Sequence, residues 1–195
     1  FDAESAGTVY FYNQRFYRYD GALDEGDSPI IGTRSTVITG LQVALGATLS
    51  LELSNSYNYL YLFNDIQNDG TIKVVAEEVA SETPALYLYP AEYYGTGTID
   101  LSGQYPGQDG GNLNINTSLI QNTGTINTSG ADGDSEGIAG GDAGSINLYA
   151  AVVIENTGTL VAQGGDSSSA SAGQGENINL YGSKGAYNTG TMNSD

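Results

Sequence analysis

One short acidic segment has residue types and spacing suited to binding a cation. Residues 132–137 read DGDSEG, so carboxylates recur at every second position before a glycine, as at the start of a calcium loop. The twelfth position, a bidentate glutamate in such loops, is Ala143, and an acidic residue lies one position earlier. The segment is therefore either a solvated acidic loop or a calcium site formed by Asp132, Asp134, Glu136 and Asp142. No other cofactor is expected.

Three tyrosines occupy the same position in short segments where they alternate with Leu and Ile, namely Tyr89, Tyr149 and Tyr181. Asn116 takes that position in a fourth segment. An aromatic ring offers an apolar face on which a sugar ring can stack, so these tyrosines are candidates for binding surface glycans. The alternative is a ladder of stacked side chains that stabilises neighbouring strands.

Catalysis has little support in the sequence. The chain contains no His and no Cys, which excludes thiol nucleophiles and His-ligated metal centres. A polysaccharide-cleaving enzyme would need a basic residue or a pair of carboxylates on one face. The repeats described below carry Asp100 in one copy and Asn127 at the matching position of the next. The sequence therefore favours a protein that is not an enzyme.

These candidate residues lie on a framework of sequence repeats. A marker of the form Asn-Thr-Gly-Thr-aliphatic recurs, with small variations, at intervals of 27 to 34 residues, and its central glycines are Gly70, Gly97, Gly124, Gly158 and Gly190. A second marker is an alternating segment such as LNIN at 113–116 or INLY at 146–149, and its intervals fall in the same range. Two unrelated markers that share one period are typical of stacked repeats.

The distances between the two markers show where the repeats differ in length. The second marker precedes the next marker glycine by 11 or 12 residues throughout, whereas the distance from a marker glycine to the second marker varies from 16 to 22. The added residues lie in 127–144 and 161–176, which are rich in Gly, Ser and Asp, as surface loops are. We therefore predict an all-β fold, a parallel β-helix (β-solenoid) of about five coils with variable loops on one side. A β-propeller or a sandwich fits this period less well.

The first marker has a predicted structural role. A turn between coil faces requires a positive φ, which Asn and Gly tolerate best, so we expect the first marker position to be left-handed. Asparagines stacked at about 4.8 Å per coil would also form a ladder of side-chain hydrogen bonds. The aliphatic residues of the marker should form one buried column. The residues assigned to this framework are Asn68, Gly70, Gly97, Asn122, Gly124, Asn156, Gly158, Asn188 and Gly190.

Charge and composition restrict the partners. A net charge of -18 with only five basic residues leaves no basic stripe to neutralise phosphates, so nucleic acid is excluded. Anionic membrane surfaces are disfavoured for the same reason, and no stretch approaches the roughly 18 apolar residues of a membrane span. An acidic, cysteine-free chain of this composition suits the outside of a prokaryotic cell.

Residues 1–45 do not follow the repeat, so we predict a division into 1–45 and a solenoid at 46–195. The first part contains the aromatic run VYFY at 9–12. It either caps the first coil or lends a strand to a neighbouring subunit.

Two stretches carry a resemblance to a known family. They read GGNLNINTSLIQNTGTINTSGADG, from residue 110, and GGDAGSINLYAAVVIENTGTLVAQGG, from residue 140. Across about residues 65–192 the chain resembles the β-helix repeats of filamentous-haemagglutinin-type exoproteins and related adhesins. The resemblance implies a right-handed helix and a secreted rod that displays adhesive surfaces.

These observations favour a secreted structural or adhesive surface protein. It would be a non-enzymatic rod or filament subunit that assembles with further copies of itself through its coil ends. The alternative is a β-helix protein that binds or cleaves polysaccharide.

A calcium site at residues 132–142 predicts a specific response to calcium. A ligand that binds only the folded state stabilises it, so calcium should raise the melting temperature beyond the effect of its ionic strength. Melting curves in calcium chloride and in sodium chloride at matched ionic strength measure the difference. Asp134→Ala should remove the calcium-specific part, and equal midpoints in the two salts would eliminate the site.

Overall fold

The chain folds into two sheets of parallel strands. The computed structural model describes residues 2–3, 8–11, 36–38, 41–53, 58–62, 65–76, 78, 80–134 and 137–195. Within these ranges the chain forms strands and no helix, and the strands make sheets of 11 and 7 members. Every strand pairing there is parallel. The prediction of an all-β chain with parallel strands is confirmed.

The chain passes repeatedly between the two sheets, and each strand of the smaller sheet follows one or two strands of the larger sheet. The first nine are β1 (Asp2–Ala3), β2 (Thr8–Phe11), β3 (Thr36–Ile38), β4 (Leu41–Val43), β5 (Thr48–Glu52), β6 (Asn58–Leu62), β7 (Ile66–Asn68), β8 (Thr71–Val75) and β9 (Leu86–Tyr89). The next nine are β10 (Glu92–Gly95), β11 (Thr98–Asp100), β12 (Leu113–Asn122), β13 (Thr125–Asn127), β14 (Ile146–Asn156), β15 (Thr159–Val161), β16 (Ile178–Gly182), β17 (Gly185–Asn188) and β18 (Thr191–Asn193). The smaller sheet consists of β2, β5, β8, β11, β13, β15 and β18, and the larger sheet contains the others.

The register of the smaller sheet places equivalent marker residues side by side. Its central column contains Ile72, Ile99, Ile126, Leu160 and Met192 in successive strands. The first four are at most 1% exposed, and Met192, in the last strand, is 41% exposed. The predicted aliphatic column is therefore confirmed.

The hydrophobic core lies between the two sheets. One cluster of buried side chains includes Leu88 and Ile115 from the larger sheet together with Ile99 and Ile126 from the smaller one. Strand β13 buries only its middle residue, and β12 buries mainly alternate residues. Since fully burying each such side chain contributes about 1.5–3 kcal/mol, the core is a major source of stability in every described repeat.

The marker glycines are required by close approach between repeats. A Cβ on Gly97 would lie 2.0 Å from the carbonyl oxygen of Gly70, and a Cβ on Gly124 would lie 1.9 Å from that of Gly97. Gly158 and Gly190 repeat this contact at 2.0 Å. No side chain larger than hydrogen fits at these corners without moving the backbone.

The prediction of a left-handed residue at the first marker position is wrong for Gly95, which is not among the positive-φ glycines, and it stays a prediction for the asparagines. Asn68, Asn122, Asn156 and Asn188 are the last residues of strands β7, β12, β14 and β17. The positive-φ glycines of the described chain lie elsewhere, for example at Gly107. Hydrogen bonds between repeats hold the corner instead. The carbonyl oxygen of Asn68, for instance, accepts from the amides of two successive residues in the next repeat, both at 2.9 Å.

The two long loop segments, 127–144 and 161–176, run beside each other. The amides of Gly130 and Gly140 donate to the carbonyl oxygens of Gln163 and Ser171, both at 2.9 Å. Glycines within the two segments, at positions 141 and 165, are buried. The loops therefore lie together, as the shared gap between markers predicted, and they also continue the hydrogen bonding between repeats.

The first three strands, all within residues 1–45, extend the two sheets. Strands β1, β2 and β3 pair in parallel with β4, β5 and β6. The segments between these three strands lie outside the described residues. The division into a cap or exchanged strand at 1–45 and a repeat region at 46–195 stays a prediction.

Substitutions within the aliphatic column should have position-dependent costs. Ile126→Ala should lower the free energy of unfolding by about 2–5 kcal/mol, because it opens a cavity in the core. Met192→Ala in the same column should cost less than about 1 kcal/mol, because its side chain is already partly exposed. Urea unfolding of both variants measures the difference. Equal losses would contradict a core that runs along this column.

Candidate functional site

The predicted tyrosine column is present, and two of its members are in contact. The register aligns Asn116 with Tyr149 and Tyr149 with Tyr181, and it aligns Tyr61 with Tyr89. The rings of Tyr149 and Tyr181 have centroids 6.4 Å apart and are tilted by 50°. These two residues are 40% and 64% exposed. Tyr89 is half-buried and belongs to an earlier repeat, on the other side of the repeat that contains Asn116.

A second outward column lies two residues earlier in each strand. It contains Tyr87, Asn114, Asn147 and Asn179 in successive strands. The Asn179 Nδ2 atom donates a hydrogen bond of 2.8 Å to Asn147 Oδ1. This column was not among the predicted site residues, although its sequence signal is present at the second position of each alternating segment.

The two columns form one surface, which we call the Tyr/Asn face. Outward positions of this kind are normally filled by varied polar and charged residues on a sheet exposed to water. None of the residues here is charged, although the whole chain carries a net charge of -18. The face comprises Tyr87, Tyr89, Asn114, Asn116, Asn147, Tyr149, Asn179 and Tyr181. A ligand on it would therefore meet aromatic rings and amides only.

Three of the four candidate calcium ligands accept a hydrogen bond from a backbone amide. Asp132 Oδ1 accepts from the amide of Asp166 at 2.9 Å, and Asp142 Oδ1 accepts from that of Gln174 at 2.7 Å. Asp134 Oδ1 accepts within its own loop, from Ile138 at 3.2 Å. Two of these carboxylates thus connect successive repeats.

Calcium binding itself stays a prediction. Among the residues that the structure describes, no group of three or more acidic side chains is arranged to hold a metal ion. Glu136, the remaining candidate ligand, lies outside the described residues. The hydrogen bonds of Asp132 and Asp142 to the next repeat give these side chains a structural role in either case.

The asparagines of the first marker form the predicted ladder in the last three repeats. Asn122 Nδ2 donates to Asn156 Oδ1, and Asn156 Nδ2 donates to Asn188 Oδ1, both at 2.7 Å. Asn68 Nδ2 donates instead to the carbonyl oxygen of Thr98, at 2.9 Å. All three amides thus direct their Nδ2 atoms toward the following repeat.

Gly95 interrupts this column, and Tyr93 fills the interruption. Gly95 lies between Asn68 and Asn122 in the register. A Cβ on Gly95 would be 2.2 Å from the Tyr93 hydroxyl oxygen, so the hydroxyl occupies the space of the missing side chain. Tyr93 is fully buried. Its hydroxyl and the Oδ1 atoms of Asn68 and Asn122 are buried without a hydrogen bond of regular geometry.

The environment of Tyr93 keeps its hydroxyl neutral. Burial raises the pKa of the Tyr93 phenol far above its ordinary value, and the Asn68 side chain opposes part of this rise, as a donor to the phenol oxygen does. A neutral hydroxyl can accept from one amide and donate to another. Tyr93 therefore has the bonding capacity of an asparagine at the interrupted position.

Comparisons with known proteins give no family for this chain. It matches no protein-family model, no curated protein and no solved structure. The resemblance to filamentous-haemagglutinin-type repeats therefore stays a hypothesis. In the described part of the chain, no helix is long and apolar enough to cross a membrane.

Removing the Tyr93 hydroxyl should destabilise the protein. Tyr93→Phe removes the buried hydroxyl that the Asn68 side chain meets, so the free energy of unfolding should fall by about 1–3 kcal/mol. Tyr94→Phe is the matched control, since that hydroxyl bonds to Glu92 on the outer surface and its loss should cost under about 0.5 kcal/mol. Urea unfolding of the two variants measures the free energy that each substitution costs. A neutral Tyr93→Phe variant would show that the hydroxyl is not part of the column.

Proposed function

We propose that the chain forms a right-handed parallel β-helix and acts as a non-enzymatic structural or adhesive rod outside a prokaryotic cell. The observation that carries the proposal is the uninterrupted alignment of equivalent residues through all strands of the smaller sheet. Threonines at positions 8, 48, 71, 98, 125, 159 and 191 occupy one column. A chain that alternates between two sheets while it keeps this register advances along one axis, as a rod does.

The last repeat presents the surface that each earlier repeat covers on its predecessor. In the described chain, strands β16, β17 and β18 pair on one side only. Their inward residues are more exposed than the counterparts in the preceding repeat: Leu180 is partly buried where Leu148 is fully buried, and Met192 is exposed where Leu160 is buried. Unpaired strand edges are templates for further strands. We propose that another copy of the chain stacks on this repeat.

The acidic surface supports an extracellular setting. Copies with a net charge of -18 repel one another through most of their surface, so association depends on defined contact regions. The end of the stack is such a region, because its bonding groups are backbone amides and carbonyls with apolar side chains beside them. Divalent cations in the external medium would reduce the remaining repulsion.

Polysaccharide binding is the second candidate function, and the Tyr/Asn face is the observation that favours it. Cleavage gains no comparable support. The neighbours of Asp100 in its column are Lys73 and Asn127, so the register does not place a second carboxylate next to that acid.

Stacking through the coil ends predicts concentration-dependent mass. Light scattering of the wild-type protein should show a mass that rises with concentration. Met192→Asp should abolish the rise, because it places a charge in the contact that stacking would bury. Val152→Asp is the control, since Val152 is similarly exposed, at 37%, within β14 rather than in the last row.

The N-terminal side of the proposed contact between copies is testable by truncation. Deleting residues 1–19 should also prevent association, because this segment is the expected partner of the last repeat. Melting curves establish that each variant is folded. A wild-type protein that stays monomeric at high concentration would rule out stacking and leave the adhesive role alone.

A further inference from the structure

The composition of the Tyr/Asn face is not required by the fold. Its side chains point away from the core, where a sheet accepts many residue types. Asparagine is disfavoured in strands, yet it occupies half of the eight positions, including Asn116 between two tyrosine-bearing repeats. The register also aligns the backbone of Tyr59 and Tyr61 in β6 with that of Tyr87 and Tyr89.

The chemistry of this face matches a sugar. Tyrosine rings offer apolar faces to the C–H surface of a sugar ring, and amides donate to and accept from its hydroxyls. Tyr149 and Tyr181 are exposed and 6.4 Å apart, so both can contact one ligand. Each amide of the Asn147–Asn179 pair uses one donor or acceptor in their mutual 2.8 Å hydrogen bond and keeps further capacity for a ligand. That hydrogen bond also holds the two amides in place before a ligand arrives.

The charge of the protein favours one class of polysaccharide on this face. An acidic polysaccharide would approach a protein of net charge -18 against Coulomb repulsion, and it would find no basic residue on this face. A basic polysaccharide would be attracted to the carboxylates across the whole surface, which gives no preference for this face. An uncharged polysaccharide suffers neither effect. The lack of charge on the face is therefore matched by a neutral ligand.

The geometry favours a polymer over a single sugar. Neighbouring strands are about 4.8 Å apart, so similar rings and amides recur along the stacking direction. A linear chain that lies across the strands would contact several repeats at once, and its weak contacts would add. A single monosaccharide would gain only one such contact.

We propose that the Tyr/Asn face binds a linear, uncharged polysaccharide that lies across strands β9, β12, β14 and β16. The inference specifies the ligand of the adhesive role, and it rests on the extracellular location proposed above. It does not depend on stacking through the coil ends.

Native gel electrophoresis with polysaccharide cast into the gel tests the proposal, since an acidic chain migrates readily unless the polymer retards it. The probes are hydroxyethyl cellulose and galactomannan, which are neutral, and polygalacturonate, which is acidic. The wild-type protein should be retarded by at least one neutral polymer. A Tyr149→Ala/Tyr181→Ala double variant should bind that polymer at least tenfold more weakly, while Tyr149→Phe/Tyr181→Phe stays within about threefold of wild type, because ring stacking carries the contact.

Tyr187→Ala is the matched control, because Tyr187 is 61% exposed on β17, outside the face, and its loss should leave binding unchanged. Met192→Asp should also bind normally, which separates this proposal from stacking. Three results would overturn it: no retardation by either neutral polymer, equal retardation of the wild type and the Ala double variant, or retardation by polygalacturonate alone. Sedimentation velocity tests a fourth such result. If the Ala double variant no longer self-associates, the face binds a second copy of the chain and not a polysaccharide.

Discussion

Parallel hydrogen bonding between equivalent residues of successive repeats is the constraint on which the other features depend. It places each side chain about 4.8 Å from the side chain at the same position in the next repeat. Each position must therefore hold a residue that is stable beside a near copy of itself. Ile126 packs between Ile99 and Leu160 in this way, and Asn156 bonds to the asparagine on each side. The glycines of the marker obey the same rule, because there the backbones themselves are in contact.

The same constraint governs the placement of charge. A column of identical carboxylates would be destabilised by repulsion, since like charges directly opposite one another in a sheet are unfavourable. In the column of Asp100 the neighbours are Lys73 and Asn127. In the loops, Asp109 and Asp142 each accept a backbone amide of the following repeat, at 2.7 Å, so each negative charge faces a donor. An acidic chain can thus stack tightly because its carboxylates bond to amides.

The columns were predictable from the sequence, and the exceptions were not. The marker spacing identified the partners of Ile99 and of Asn122, because parallel stacking converts a sequence period directly into contacts. The left-handed conformation was mispredicted at Gly95, and the amides of the next repeat that bond at the corner are revealed by no local pattern. Tyr93 was missed because its role depends on the absence of a side chain at Gly95. The tyrosine column was found at Tyr149 and Tyr181, whereas the asparagine half of the face was overlooked.

Residue differences between repeats are accommodated differently in the core and on the outer face of the larger sheet. In the core, the Tyr93 hydroxyl occupies the space beside Gly95 that a side chain at that position would fill, so the two residues complement each other. On the outer face, Asn116 takes the place of a tyrosine at a position that is exposed to solvent. Stacking favours like neighbours on the outer face as well, as the Asn147–Asn179 hydrogen bond and the Tyr149–Tyr181 ring contact show. The core does not fix which residues occupy these outward positions, so the proposed polysaccharide contact is tested on the Tyr/Asn face, where substitutions leave the packing between the sheets intact.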